Sequence, residues 1–363
     1  MNKLVPALVC AALTALTPAL ASASPTSGSA TPAVSRAAAV SAAAGPTPVR
    51  VASFNVVGIS LDEFSGNQTP WRLRRNTIVR QILNGRTDVI GVQEVNPSNV
   101  FRNRLTSRAN VNQYFDLRNG LNYYSRDTYA LQTGAAANCV NATTTYRCVY
   151  KNRQASGSDR ILYNTRTLRQ LDFGHTTFSR TTAANRVAGV TWSKLQVRAT
   201  GAKFLFVTTH LDQRSQSVRL AQWQQLISVV NGLKGSLPVV ATGDYNANKS
   251  NPLTRTMLPA MQRAGYGDVL GQEYGVNPSR GMRAESRDQA WVNSVNGWSR
   301  RVRSYSYNED RTKVGQMIDY IFASNHLRIP YFKTVSAFNP RTLRVGGRMP
   351  SDHHMLRATV MIP

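Results

Sequence analysis

The chain has 363 residues, with 44 Lys and Arg against 18 Asp and Glu and a formal net charge of +26. That length exceeds a minimal module and falls short of three domains, and the charge points to a polyanionic partner, nucleic acid or an anionic surface, over a neutral one. Genome base composition can account for arginine in place of lysine, but not for the shortage of acids.

Residues 1–24 read as a secretory signal peptide: Lys3, an apolar segment from Leu4 to Leu16, then small residues from Ala19 to Ser24. The competing reading, a membrane anchor, is disfavoured because Pro6 and Pro18 bracket an apolar run shorter than the ~20 residues of a span. No later run is long and apolar enough to cross either, so the expected location is secreted and extracellular. Residues 25–48 are almost all Ala, Ser, Thr, Pro and Gly, a linker or pro-segment with little to bury. The folded domain is expected over 49–363. Cys10 leaves with the leader, and Cys139 and Cys148 form a disulfide in an oxidising compartment, the alternative being two free thiols.

From Val49 onward, short β-rich runs alternate with helical stretches. Val49–Val56 reads as a buried strand. Trp71–Asn84 reads as an amphipathic helix ended by Gly85, with its arginines mostly away from the apolar face. Asp88–Val95 is a second strand, followed by a long polar stretch. Further strands are expected at Arg160–Tyr163, Val187–Val197 and Lys203–Thr209. A helix then carries Leu220, Trp223, Ile227 and Val230 on one face. Pro238–Thr242, Gln316–Ala323 and Met355–Ile362 complete the strands. Strands separated by helices give an α/β protein, and runs apolar on both faces give sheets covered by other layers.

The chemistry-bearing residues fall at or near the C-terminal ends of apolar runs. They are Asn55 after VASF, Glu94 after DVIGVQ, His210 and Asp212 after FLFVTT, Asp244 and Asn246 in GDYN, Asp319 within MIDYIF, and Asp352-His353 in SDHHML. Each has an ordinary explanation taken singly: a cap, a turn or a satisfied core histidine. Together they place five of the 18 acids beside buried strands, where a carboxylate needs a cation, a histidine or a substrate group to offset its desolvation.

The blocks SFNV, GVQEV, TTHLD, GDYNA, IDYIF and SDHH, in that order, resemble the endonuclease/exonuclease/phosphatase superfamily across nearly the whole folded part. The resemblance implies a four-layer α/β sandwich of two packed mixed β-sheets flanked by helices, with the site at one edge of the sheets. It makes Glu94 the principal metal ligand, with Asn55 and Asp352 beside it. It makes His353 the catalytic histidine, oriented by Asp319, and gives Asp244 and Asn246 the water and phosphate. His210 would meet a phosphate oxygen, with Asp212 and Arg160 as further substrate contacts. Hard oxygen donors suit Mg²⁺; Mn²⁺ fits the same set, and a structural Ca²⁺ stays open. Two departures stand out. Tyr245 replaces the commoner Phe, and His354 follows His353, although the motif spacing favours His353.

The implied activity is metal-dependent phosphoric ester hydrolysis by a monomer without a protein partner. A nuclease acting on DNA or RNA is the first reading, because Arg280–Lys313 interleaves arginines with Trp291, Trp298, Tyr305 and Tyr307 in the manner of a strand-following loop. A sphingomyelinase-like phospholipid phosphodiesterase and a sugar or inositol phosphate phosphatase are the alternatives.

Overall fold

The computed structural model describes residues 45–58, 69–95, 112–132, 158–182, 188–271, 284–303 and 314–363. The leader, nearly all of the linker, Tyr305, Tyr307 and the expected Cys139–Cys148 disulfide lie outside the described residues.

β1 (Thr47–Asn55), α1 (Trp71–Asn84) and β2 (Val89–Gln93) open the fold, with β1 and β2 parallel. α2 (Gln113–Ser125), β3 (Tyr129–Leu131) and β4 (Arg160–Asn164) follow, then β5 (Leu168–Thr177), β6 (Gly189–Val197) and β7 (Lys203–His210). α3 (Gln216–Lys234), β8 (Val239–Asp244), α4 (Pro252–Arg263), β9 (Tyr266–Asp268) and β10 (Ser286–Asp288) lead to β11 (Asp319–Ser324) and β12 (Tyr331–Val335). The chain closes with the short pair β13 (Phe338–Asn339) and β14 (Arg344–Val345), and β15 (Met355–Ile362).

One mixed sheet runs β10-β12-β15-β1-β2-β4-β3 and the other β5-β6-β7-β8-β11-β9. Side chains alternate between the faces of a strand, and β1 shows the consequence. Ala52 and Phe54 turn outward onto Ile78, Ile82, Leu117 and Leu121 of α1 and α2. Val49 and Val51 turn inward to the core shared with β7 and β8. Trp223, Leu226 and Val230 of α3 and Leu253, Met257 and Met261 of α4 belong to that core too. Each such fully buried side chain contributes about 1.5–3 kcal/mol. Four helices thus flank two mixed sheets among the described residues, as the α/β sandwich requires.

Three expectations change. β1 begins at Thr47, so the linker yields its last two residues; Pro48 is tolerated because β2 joins only from Val51 onward, leaving Pro48 without a ladder on that side. The polar stretch after β2 contains α2, started by Asn112, whose side chain accepts from Phe115 N. On α1, Arg74 and Arg75 lie in the buried face. Arg75 donates to Asp116 of α2 at 3.0 Å, and Trp71 Nε1 donates to the same carboxylate at 2.8 Å.

Candidate active site

The strand directions bring the motifs to one edge. β1 and β2 run parallel, so Asn55 and Gln93 end together and Glu94 follows. β7 and β8 are also parallel and finish side by side at His210 and Asp244. β11 is antiparallel to β8 and starts with Asp319 opposite Asp244. β15 is antiparallel to β1, which returns Ser351–His354 to the end of β1.

Close approach of the two sheets underlies this edge. A Cβ on Gly91 would stand 2.4 Å from the hydroxyls of both Thr208 and Thr242, so only glycine fits. Gln93, one turn of the pleat further on, donates across the gap to Thr208 Oγ1 at 2.9 Å. Glu94 sits in the left-handed region, φ 62°. That conformation costs a non-glycine residue of order 1–3 kcal/mol and is held by neighbours: Val56 N donates to Gln93 O at 3.1 Å and Val95 N to Ser158 O at 3.0 Å.

Asn55 Nδ2 donates to Glu94 Oε1 at 3.0 Å and to Asp244 Oδ2 at 3.1 Å, while its Oδ1 accepts from Val57 N at 3.1 Å. The amide nitrogen, not the oxygen, therefore faces the carboxylates. Asn55 bridges the two acids through this nitrogen. Gly58 N donates to Glu94 Oε2 at 3.3 Å.

His353 Nδ1 lies 2.9 Å from Asp319 Oδ2, and its Nε2 lies 3.7 Å from Asp244 Oδ2 and 3.9 Å from Asp352 Oδ1. Burial opposes a charge on this ring, but Asp319, Asp244 and Asp352 outweigh it and hold His353 well above its ordinary value. Burial also raises Asp319, against the pull of His353. The pair keeps its proton at neutral pH. His354 has a different fate: buried, and repelled by His353, it falls to about 4. The geometry thus pairs His353, rather than His354, with Asp319.

Asp352 is only partly buried. Burial raises its carboxyl above the usual range, and Glu94 and Asp244 add to this while His353 and Ser351 oppose it. Hard carboxylates that repel one another and keep access to water fit a divalent cation. A second group, Asp244, Asp319 and His353, has ligand atoms within 4.8 Å of one another. A cation there would compete with the proton held between His353 and Asp319.

Asn246, φ 50°, donates through Nδ2 to Leu211 O at 2.9 Å and to His210 Nε2 at 2.8 Å. His210 Nε2 is 3.6 Å from Asp244 Oδ2. Asp244, Asn246 and His210 form one contact group.

Of the two further substrate contacts expected, Asp212 is placed elsewhere. Asp212 is spent on local structure: its carboxylate accepts from Thr182 Oγ1 at 2.5 Å and from Arg214 N and Ser215 N at 2.8 Å, forming the turn into α3. Arg160 is buried at the start of β4, paired with Val92 two residues before Glu94, and its guanidinium lies 5.3 Å from the ring of Tyr114.

The structure also supplies residues that no motif indicated. Arg74 donates to the carbonyls of Val56, Val57 (2.9 Å), Thr69 (2.9 Å) and Pro350 (3.1 Å). It therefore ties the turn after Asn55 to the loop bearing Asp352. Ser351 Oγ donates to Asn55 O at 2.7 Å and accepts from His353 N at 3.2 Å. Ser294 Oγ accepts from Asp319 N at 3.3 Å, while its carbonyl accepts from His354 N at 2.7 Å.

The model of the Endonuclease/Exonuclease/phosphatase family matches residues 52–353. The chain belongs to this family. It is a phosphoric ester hydrolase, of a family whose enzymes generally depend on divalent metal. Nocturnin of Drosophila melanogaster is 26% identical over 267 residues, covering 69% of this chain and 38% of that protein, so the chain spans well under half of this relative. Among solved structures, a family member from Bacteroides thetaiotaomicron superposes with a TM-score of 0.59 at 18% identity, covering 88% of this chain and 99% of that one. A mannosyl-6-phosphatase from the same bacterium gives 0.56 at 17%, covering 86% and 100%. These likenesses establish the shared fold.

Proposed function

We propose that the chain is an exported, Mg²⁺-dependent phosphodiesterase that hydrolyses nucleic acid. The observation that carries this reading is a carboxylate and His–Asp centre set in a chain of net charge +26. A site for small sugar phosphates has no use for charge spread over the whole surface, whereas a polyanion does. Export rests on Lys3, the apolar Leu4–Leu16 and the small residues before Ser24.

Glu94 and Asp352 would hold the cation, with Mn²⁺ able to use the same oxygens, and Asn55 fixes the spacing of Glu94 and Asp244. When bound, the cation neutralises charge developing on a phosphate oxygen. Asp244, flanked by His210, Asn55 and His353, orients the attacking water for in-line approach. Asn246 gives Asp244 its backbone N–H at 2.9 Å and positions His210. His353, protonated and locked by Asp319, faces the reacting phosphate through Nε2 and supplies charge or a proton there. Among the described residues no helix is long and apolar enough to cross a membrane.

The test is a panel of plasmid DNA, RNA, sphingomyelin and a phosphomonoester, each with Mg²⁺ and with chelator. Metal-dependent cleavage of the nucleic acids is expected. Turnover of sphingomyelin or the phosphomonoester with both nucleic acids intact would replace this reading.

A further inference from the structure

We infer that Ser294 is a positioning residue for the His353–Asp319 pair, at the centre of a short strut, residues 293–297, that ties two parts of the fold together at the site. The inference rests on the assignment of that pair as catalytic and holds for whichever phosphoester is cleaved.

The pair is assembled from two different sheets. Asp319 begins β11, which pairs with β8, whereas His353 lies just before β15, which pairs with β1. Their 2.9 Å contact therefore depends on how two separately hydrogen-bonded sheets are set against each other. A reacting phosphate tolerates little displacement of the groups around it. A backbone connection between the two partners removes that freedom.

Residues 293–297 lie outside the strands of both sheets and supply the connection. On one side Val295 forms an antiparallel bridge with His353, flanked by His354 N donating to Ser294 O and Asn296 N donating to Asp352 O, both at 2.7 Å. Asn296 Nδ2 adds a bond to Ser351 O at 3.2 Å. On the other side Ser294 Oγ accepts from Ile318 N at 3.0 Å and from Asp319 N at 3.3 Å. Ser294 N donates to Gln316 O at 2.9 Å, and Asn293 Oδ1 accepts from Gln316 N at 2.7 Å. The approach is close: a Cβ on Gly315 would stand 2.5 Å from the backbone of Val292.

The two sets of bonds meet in Ser294. Its carbonyl holds the catalytic loop and its hydroxyl holds the start of β11. The residue is fully buried, so it touches no substrate and acts only through its neighbours. A hydroxyl that accepts from backbone N–H groups keeps its own proton to give. This one lies against the Asp319 carboxylate, whose charge it helps to stabilise.

A double-mutant cycle tests this, with Mg²⁺ and the phosphoester of the panel above that the wild type turns over fastest, and with melting recorded for every variant. Ser294→Ala should lower kcat per folded molecule by about 10–100-fold and leave KM within about twofold. Asp319→Asn already breaks the pair, so adding Ser294→Ala to it should lower kcat by no more than about twofold. Ser324→Ala is the control. Ser324 Oγ accepts from Val239 N at 2.9 Å at the far end of β11, so the variant loses the same kind of bond and should lower Tm with kcat unchanged. Wild-type kcat in Ser294→Ala, an equal loss in Ser324→Ala, or a full further loss on the Asp319→Asn background would each overturn the inference. An Asp319→Asn variant as fast as wild type would instead overturn the assignment of the pair itself.

Discussion

Around Ser351–His354 two regions of opposite character meet. On one side Glu94, Asp244, Asp319 and Asp352 crowd an edge held together by hydrogen bonds to and from Asn55, Ser294 and Ser351. On the other side Arg300, Arg301, Arg303, Arg341, Arg344 and Arg348 lie exposed. Position within hydrogen-bonding distance governs the first region, because a reacting phosphate tolerates little displacement. Charge density governs the second, because a polyelectrolyte is attracted through counterion release whatever the exact geometry. Substitutions in the two regions should therefore fail in different ways.

The largest effects belong to the acidic edge. Glu94→Ala and His353→Ala should each lower turnover by at least about 10²–10⁴-fold with the fold retained, as judged by melting and by duplex binding in chelator. His354→Ala should lower Tm through the cavity it leaves, with smaller loss of rate per folded molecule. A dead His354 variant beside an active His353 variant would reverse the assignment.

Asp319→Asn should come next, at about 10²-fold. Its signature is the pH profile: with the carboxylate gone His353 is no longer held so high, so the limb at which activity falls as pH rises should move to lower pH. A profile that stays in place would remove Asp319 from its orienting role.

Arg74→Lys keeps the charge and loses the planar fork that spans the four carbonyls. Activity and the apparent Mg²⁺ affinity should fall by about 10–100-fold, the usual range for residues that orient ligands. If melting falls while Mg²⁺ affinity per folded molecule holds, Arg74 serves the fold alone.

The contrast between the regions also explains what is legible in the sequence. β2, β7 and β8 show as largely apolar runs, and the polar residues ending them and β1 mark the edge where the site forms, with Asp352 and His353 just before β15. Arg74 is hidden because an arginine on a helix ordinarily marks the solvent face, and only the tertiary structure brings four carbonyls around it. Asp212 misleads for the reverse reason. It follows His210 at a strand end as a ligand would, and its use in the turn to α3 depends on Thr182 from a distant loop. α2 escapes the sequence because Asn112, Gly120 and Asn122 read as loop composition. The helix is secured by Asp116 meeting Trp71 and Arg75, a contact with no local signature.

The smallest predicted effect lies outside both regions. His175, buried on β5 beside Thr191 of β6 and near Arg160, is held at about 4, burial being the larger cause. Below its ordinary value of about 6.5 the unfolded chain takes up a proton that the folded chain refuses until about pH 4. This contribution is full above 6.5 and drains away as pH falls toward 4. His175→Gln should flatten the Tm–pH curve over that window, and His354 leaves part of the slope in place. An unaltered curve would mean that His175 protonates without opposing the fold.

The separation of chemistry from attraction is tested most directly in the wild-type enzyme. The measurement is the ratio of kcat/KM for supercoiled DNA to that for a small aryl phosphodiester, followed as KCl rises with Mg²⁺ fixed. Both substrates use the acidic edge, and only DNA is long enough to engage the distributed arginines. The ratio should fall steeply with salt while the small ester is hydrolysed at a nearly constant rate. Parallel salt dependence for the two substrates, or preference for the small ester at every salt concentration, would contradict the account.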